Sequence, residues 1–251
     1  MFLHSPLEQF CVSSLISIEF GNTCLSFTNS SLFMIIGCGL MYLIYSLAMY
    51  QATIIPSNWQ SGVESLYEFI LETVENMVGD EKLAARYFPF YFFLFSFILF
   101  SNLVGMVPYS FCVTSHLAVT FTLGIIIWFG AMIIGLRHHG IHFFSRFMPS
   151  GAPFAMMPFL IGIEILSYFF QVISISVRLF ANMMAGHSLL KILAGFAWAM
   201  LSAGALGLFG SFLTLSVVLA VTGLEVGIAF LQAYVFTMLA CMYLSDSINL
   251  H

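Results

Sequence analysis

Long stretches of this 251-residue chain contain no Asp, Glu, Lys or Arg, and they constrain the fold more than any motif does. One of them runs from Tyr87 to Leu136, and charged residues make up only 7% of the chain. Soluble domains carry roughly 25% charged residues, so a chain this apolar is expected to be an integral membrane protein. A net charge of -5 with six basic residues offers no basic patch for nucleic acid, and that class of partner is set aside.

Three segments have the length of upright transmembrane helices, which need about 20 residues to cross a core about 30 Å thick. The first is 31–50. The stretch 87–136 predicts two more spans, roughly 87–106 and 116–136, because a short polar and proline-containing turn interrupts it near its middle.

The basic residues of the flanking loops predict the orientation of these spans. If the spans alternate, one side of the membrane receives Lys82, Arg86, Arg137 and Arg146. The positive-inside rule assigns that side to the cytoplasm or the mitochondrial matrix. The N-terminal segment 1–30 would then face outward.

Residues 61–79 predict an amphipathic helix between the first two spans. An acidic stripe recurs there at helical spacing, formed by Glu64, Glu68, Glu72 and Glu75. A different face is apolar and contains Val63, Leu66, Tyr67, Ile70, Leu71, Val74 and Val78. Such a helix suits a membrane surface or a partner helix. A solvated helix in an ordinary loop is the alternative interpretation.

The C-terminal part, 154–251, contains two apolar stretches that are too long for upright spans. They cover about 159–193 and 208–244, and each would form a helix of roughly 50 to 55 Å against a core of about 30 Å. Splitting either into two spans would leave no residues for a turn. The sequence therefore predicts one all-α membrane domain over 1–251, which ends in a hairpin of two long, steeply tilted helices.

Arg178 lies within the first long stretch and is a candidate for function. An arginine stays protonated, and a charge at membrane depth costs several kcal/mol unless it is paired or hydrated. At about 100° per residue, one stripe of this helix holds Arg178 together with Glu164, Gln171, Ser174 and Asn182. His187 lies about 180° from Arg178, on the opposite side.

The second long helix carries Glu225 and Gln232, seven residues apart on one face. Groups that titrate or form hydrogen bonds beside a fixed cation suit a proton path, because Glu and His relay protons while the cation blocks leakage. Simpler interpretations stay open. Arg178 could extend to an interface or pair with Glu225, His187 and Glu225 could form a static pair, and Asn182 and Gln232 could be plain interhelical hydrogen bonds.

Other chemistries have little support in the sequence. There is no nucleophile elbow, phosphate loop or HExxH motif, and no cofactor is expected. A loop cluster of His138, His139 and His142 could suggest a metal site, but such a cluster at a membrane interface is more often a polar collar. No metal is therefore expected.

Several motifs closely resemble subunit a of F-type ATP synthases, especially the mitochondrial form of plants and algae. The two strongest are RLFANMMAGHSLLKILAGFAW at 178–198 and VTGLEVGIAFLQAYVFTMLACMYLSDSINLH at 221–251. PLEQF, FSNLVGMVPYSF, VTSH and HFFSRFMPSGAP extend the resemblance over nearly the whole chain. It implies a stator subunit that conducts protons through two offset half-channels and turns a ring of c subunits. ATP chemistry would then occur on other subunits.

The resemblance also implies roles for individual residues. Arg178 would face the ring and meet the carboxylate of each c subunit, with Asn182 and Gln232 beside it. His187 and Glu225 would serve the outer half-channel, and Glu164 the inner one. Around Gln171 the family often has a basic residue and a proline, and this chain has neither.

The expected partners are the c-ring, peripheral-stalk and other membrane subunits, lipid and protons. The expected location is the mitochondrial inner membrane, with a bacterial plasma membrane as the alternative. Two other functions are a self-contained channel or transporter, which usually shows internal repeats, and a purely structural membrane subunit. No such repeat is visible in this chain, which argues against a channel or transporter. A purely structural subunit would need no unpaired arginine at membrane depth.

Overall fold

The computed structural model describes residues 5–20, 23–50, 52–107, 110–140, 142–143, 156–201 and 205–248. The described part contains two β-strands and six α-helices. They are β1 (Ser14–Phe20), β2 (Thr23–Thr28), α1 (Asn29–Met49), α2 (Asn58–Val78), α3 (Glu81–Gly105), α4 (Leu117–His139), α5 (Met157–Leu201) and α6 (Ala205–Ile248). Short 3-10 helices cover Pro6–Phe10 and Val113–Ser115.

Five of these helices, all except α2, are long and apolar enough to cross a membrane. The prediction of an all-α integral membrane protein is thereby confirmed. α5 has 45 residues and α6 has 44, so each is about 65 to 70 Å long and continuous. Their steep tilt in a bilayer follows from this length and stays a prediction.

α3 begins earlier than the hydropathy of the sequence suggests. Lys82 and Arg86 lie within its first two turns and not in a loop. The Asp80 side chain accepts a hydrogen bond from the Lys82 N–H at 2.9 Å, as a residue that caps a helix start does. Pro89 lies inside α3, where it removes one backbone donor.

α2 corresponds to the predicted amphipathic helix. The Ser57 hydroxyl caps its start by accepting a hydrogen bond from the Gln60 N–H, and Gly79 ends it in the left-handed conformation with φ of 75°. Ile70 and Val74 are completely buried. The apolar face is therefore covered within the chain at these positions, whereas Tyr67 on the same face is 45% exposed.

The N-terminal segment contains a β-hairpin that the sequence analysis did not predict. β1 and β2 pair antiparallel, with an irregularity between Ser14 and Ile16. β2 leads directly into α1. The prediction for 1–30 specified no secondary structure, and the structure shows that much of this segment is a β-hairpin.

The chain divides into two compact units, of which the first comprises 1–44, 97–116 and 179–233. In this unit the second half of α5 runs antiparallel to the first half of α6. Three contacts mark the pairing, Asn182 with Gln232, His187 with Glu225, and Met200 with the glycine at position 210. The hairpin predicted for the two long helices is thus present in this unit.

The second unit comprises 45–96, 117–178 and 234–251. Here the Tyr91 hydroxyl donates to the Ala240 carbonyl at 3.3 Å, which joins α3 to the end of α6. The rings of Trp128 and Tyr168 lie 5.4 Å apart and join α4 to α5. Aromatic packing and close helix contacts therefore hold this unit together.

Candidate functional site

The first half of α5 has one buried face and one exposed face. The buried residues recur every three or four positions, at Tyr168, Val172, Ile175, Ser176 and Leu179. Arg178 and Ser174 lie on the exposed face. This face is not covered by the chain itself, as expected for a helix that meets a partner or lipid.

Arg178 makes no ion pair with any carboxylate among the described residues. Its guanidinium is close enough to Tyr243 of α6 to act electrostatically on that phenol. Glu164 is also exposed, about 40° around the helix from Arg178. The Asp246 carboxylate acts on the same phenol, but Arg178 has no salt-bridge partner within the part of the chain that the structure describes.

The first unit brings Asn182 and Gln232 together. The Asn182 Nδ2 donates to the Gln232 Oε1 at 3.3 Å. Gln232 is 2% exposed, and its Nε2 is buried without a hydrogen-bond partner in the described structure. A buried amide donor without a partner is costly unless a water or a ligand meets it.

His187 and Glu225 also lie together in this unit. The His187 Nδ1 is 3.5 Å from the Glu225 Oε1, and Glu225 is only 3% exposed. The His187 Nε2 and both Glu225 oxygens are buried and have no hydrogen-bond partner within the described residues. Buried polar atoms without partners are costly, so several of them at one place call for a water or another polar group to meet them.

Gly186 makes space for this pair and was not singled out from the sequence. A Cβ at this position would lie 2.5 Å from the Glu225 Oε1 and 3.0 Å from its Cδ. Only glycine therefore lets the carboxylate approach α5 so closely. Its position directly before His187 in the MAGH motif was the available signal.

Asn102 and Thr114 are two further polar residues beside the site. The Asn102 Nδ2 donates to the Ala229 carbonyl at 3.2 Å, and the Thr114 hydroxyl donates to the Asn102 Oδ1 at 2.7 Å. Both side chains are completely buried. Ala229 lies one turn beyond Glu225, so this chain of hydrogen bonds fastens the α3–α4 turn to the Glu225 face of α6.

His116 lies in the same turn, just before α4. Its ring stacks on Phe111, with centroids 4.8 Å apart and an interplanar angle of 15°. Its Nε2 is buried and has no partner within the described structure. Burial lowers the pKa of His116 from its ordinary value because the charged form loses hydration.

The histidine cluster at the end of α4, the third span, is only partly a loop. His138 and His139 belong to the last turn of α4, because the helix continues beyond the apolar stretch. The His139 Nε2 lies 2.6 Å from the Ile248 carbonyl at the end of α6, where it can donate to an otherwise unpaired helix carbonyl. No three His, Cys, Asp or Glu side chains form a possible metal site among the residues described.

The arrangement suits proton transfer between buried groups. A histidine beside a buried carboxylate can pass a proton through water, and the neighbouring amides can fix the position of that water. An unpaired arginine lies on an exposed helix face, and it is placed to attract an anion from outside the chain.

Comparisons with known proteins identify a common family. Residues 31–245 match the family described as ATP synthase A chain. The chain is 49% identical over 249 residues to ATP synthase subunit a of Marchantia polymorpha, covering 98% of this chain and 99% of that protein. It is 49% identical over 247 residues to ATP synthase subunit a of Chondrus crispus, covering 98% and 97%. The protein of that name from Rhodospirillum rubrum is 47% identical over 249 residues, covering 99% and 100%.

Proposed function

This chain belongs to the ATP synthase A chain family, and from that premise we propose that it is the proton-translocating stator subunit of an F-type ATP synthase. In this role it couples proton flow to rotation of a c-ring and is not itself the catalyst of ATP synthesis. The observation that carries the mechanism is the exposed Arg178, which has no carboxylate partner among the described residues. A carboxylate on each c subunit would supply the missing charge.

Protons pass through the outer half-channel by way of His187 and Glu225. The contact of 3.5 Å and the unsatisfied polar atoms around it support a relay with bridging water over a static pair. Gly186 keeps the carboxylate close to the histidine. A proton that reaches Glu225 is then passed to a ring carboxylate.

Arg178 separates the two half-channels. Its permanent charge attracts an unprotonated ring carboxylate and repels a proton on a direct path. The ring therefore turns only as its carboxylates exchange protons. The hydrogen bond between Asn182 and Gln232 supports this role because it fixes α5 against α6 one turn beyond Arg178.

Glu164 serves the inner half-channel. It lies on the exposed face of α5 near the stripe of Arg178, and it is about 21 Å along the helix axis toward the N-terminal end. After almost a full rotation a ring carboxylate releases its proton toward Glu164. The direction agrees with the orientation expected from the basic residues.

We place the complex in the mitochondrial inner membrane. The ANMMAGH and SINLH motifs support this location, and relatives occur in Marchantia polymorpha and Chondrus crispus. A similar bacterial relative makes a bacterial plasma membrane the alternative. Immunodetection of the chain in purified mitochondria tests the location, and its absence from them would exclude it.

The decisive experiment replaces Arg178 with Ala in the complex reconstituted into liposomes. We expect proton-driven ATP synthesis to be lost, because nothing then separates the half-channels. Normal synthesis by an assembled Arg178→Ala complex would contradict the assignment.

A second experiment tests the outer path with a His187→Ala, Glu225→Ala double variant. We expect proton flux to fall to background. The matched control removes the same residue types elsewhere, as His138→Ala with Glu75→Ala, and should conduct normally. Equal flux in both double variants would remove His187 and Glu225 from the path.

A further inference from the structure

A groove of about 220 Å³ lies between α3 and α4 in the second unit. Its lining is apolar or aromatic throughout and comprises Tyr87, Phe90, Tyr91, Ile126, Ile127, Gly130, Ala131 and Ile134. Two of the lining residues, Phe90 and Ile126, are 45% and 52% exposed. The groove thus opens toward the surroundings of the helices.

The groove owes its shape to a glycine in a row of larger residues. Ile126, Gly130 and Ile134 are four residues apart and follow one another along the same face of α4. A Cβ on Gly130 would meet no atom within 4 Å, so the space there is open. The open space over Gly130 therefore has an isoleucine side chain at each end.

Two arginines follow the lining residues toward one end of the two helices, since Arg86 directly precedes Tyr87 and Arg137 lies three residues beyond Ile134. Arg137 lies about 20° around α4 from Gly130, and Arg86 lies about 40° around α3 from Phe90. Both are exposed, and neither forms an ion pair with a carboxylate of the described residues. Lys82 adds a third cation one turn before Arg86, whereas Glu81 points about 140° away from Arg86.

We propose that this groove binds one anionic phospholipid of the inner leaflet. An acyl chain fills the apolar groove, and Arg86 and Arg137 bind the phosphate of the headgroup. Guanidinium groups suit phosphate because they form paired, charge-assisted hydrogen bonds. Basic pockets between transmembrane helices on the inner side are typical of such lipid sites.

Charge favours a lipid over a helix of another subunit. An apolar helix would also leave both guanidinium groups unpaired beside it. An anionic lipid satisfies the apolar wall and the two cations together.

The test uses the purified complex in detergent, stripped of lipid and titrated with dioleoyl phosphatidylglycerol or, in a parallel arm, dioleoyl phosphatidylcholine. Bound lipid per complex is counted by mass spectrometry. The charge variant is Arg86→Gln with Arg137→Gln, and the groove variant is Gly130→Leu. Gly39→Leu on α1 is the matched control, because a Cβ on Gly39 also meets no atom within 4 Å.

We expect wild type and Gly39→Leu to retain one more phosphatidylglycerol than the charge and groove variants. Affinity at this site should weaken roughly fivefold for each arginine lost. Substitution of both arginines by Lys should preserve part of the binding. The proposal is wrong if the Gln variant retains as much phosphatidylglycerol as wild type, or if phosphatidylcholine binds the wild-type site equally well. Loss of a neighbouring subunit from the Gly130→Leu complex would instead identify the groove as a helix contact and would also overturn it.

Discussion

Replacing Gly186 with Ala should damage proton uptake more than it weakens the fold. The new Cβ would lie 2.5 Å from the Glu225 Oε1, about 0.9 Å inside the 3.4 Å at which ordinary contacts begin. Either the carboxylate moves away from His187 or α5 and α6 separate. In both cases the contact of 3.5 Å between His187 and Glu225 is lost.

Two opposing effects set the expected changes in the proton-transfer rate and in the stability of the complex. Overpacking of this kind costs about 1 to 3 kcal/mol. If that cost falls on the proton-transfer step, the rate drops roughly 5-fold to 150-fold. Alanine meanwhile favours the helix by about 1 kcal/mol over glycine, so the net loss of stability should be about 0 to 2 kcal/mol.

The assay is ATP synthesis by the reconstituted complex, driven by an imposed proton gradient. Gly39→Ala is the control, because it gives the same gain in helix propensity with no atom within 4 Å of its Cβ. A normal rate for an assembled Gly186→Ala complex would refute the steric reasoning.

Three further predictions concern the turn after α3 and the start of α2. Thr114→Val should destabilise the complex by about 1 to 3 kcal/mol in thermal unfolding, because it leaves the buried Asn102 oxygen unsatisfied; an unchanged melting temperature would contradict this. Because the pKa of His116 is lowered, the unfolded turn binds protons more readily, and its stability should fall as pH drops below about 6.5. Hydrogen exchange of the turn at pH 7.5 and 5.5 checks this when it is expressed as protection factors, which remove the intrinsic pH dependence of exchange. His116→Phe should abolish the difference in protection. Ser57→Ala should cost about 1 kcal/mol of helix stability and increase exchange at the start of α2, whereas Ser57→Asp should keep the cap.

The long helices could be predicted because the bilayer limits the structures that an apolar segment can adopt. The stretch 159–193 has no proline, and it has little glycine where a turn would have to fall. This was enough to favour one helix over two short spans, and α5 is continuous there. The start of α3 was harder to predict from the sequence. Its first six residues, EKLAAR, include three charged residues but have high helix propensity, so the helix begins before the apolar stretch does.

The N-terminal hairpin left a signal that was not used. Gly21 and Asn22 separate two short runs rich in β-branched and aromatic residues, and such a dipeptide is a common hairpin connection. The hydrogen bond from Asn102 to Ala229 is different, because it joins residues 127 positions apart. No local pattern specifies such a pairing.

Arg178, His187 and Glu225 could be selected from the sequence because a charge or a titratable group in an apolar helix is rare. Their roles in proton transfer are still a proposal. Gly186 could not be selected in the same way, since glycine is common in membrane helices. Its importance depends on the position of a carboxylate 39 residues further along the chain.

The most direct test of the central claim is a structure of this chain assembled with its c-ring. We measure the distance from the Arg178 guanidinium to the nearest ring carboxylate. The proposed mechanism predicts that Arg178 faces the ring with a carboxylate within about 4 to 6 Å, where opposite charges interact strongly. An Arg178 that pairs with another stator subunit or faces lipid, with every ring carboxylate beyond the Debye length of about 10 Å, would contradict it.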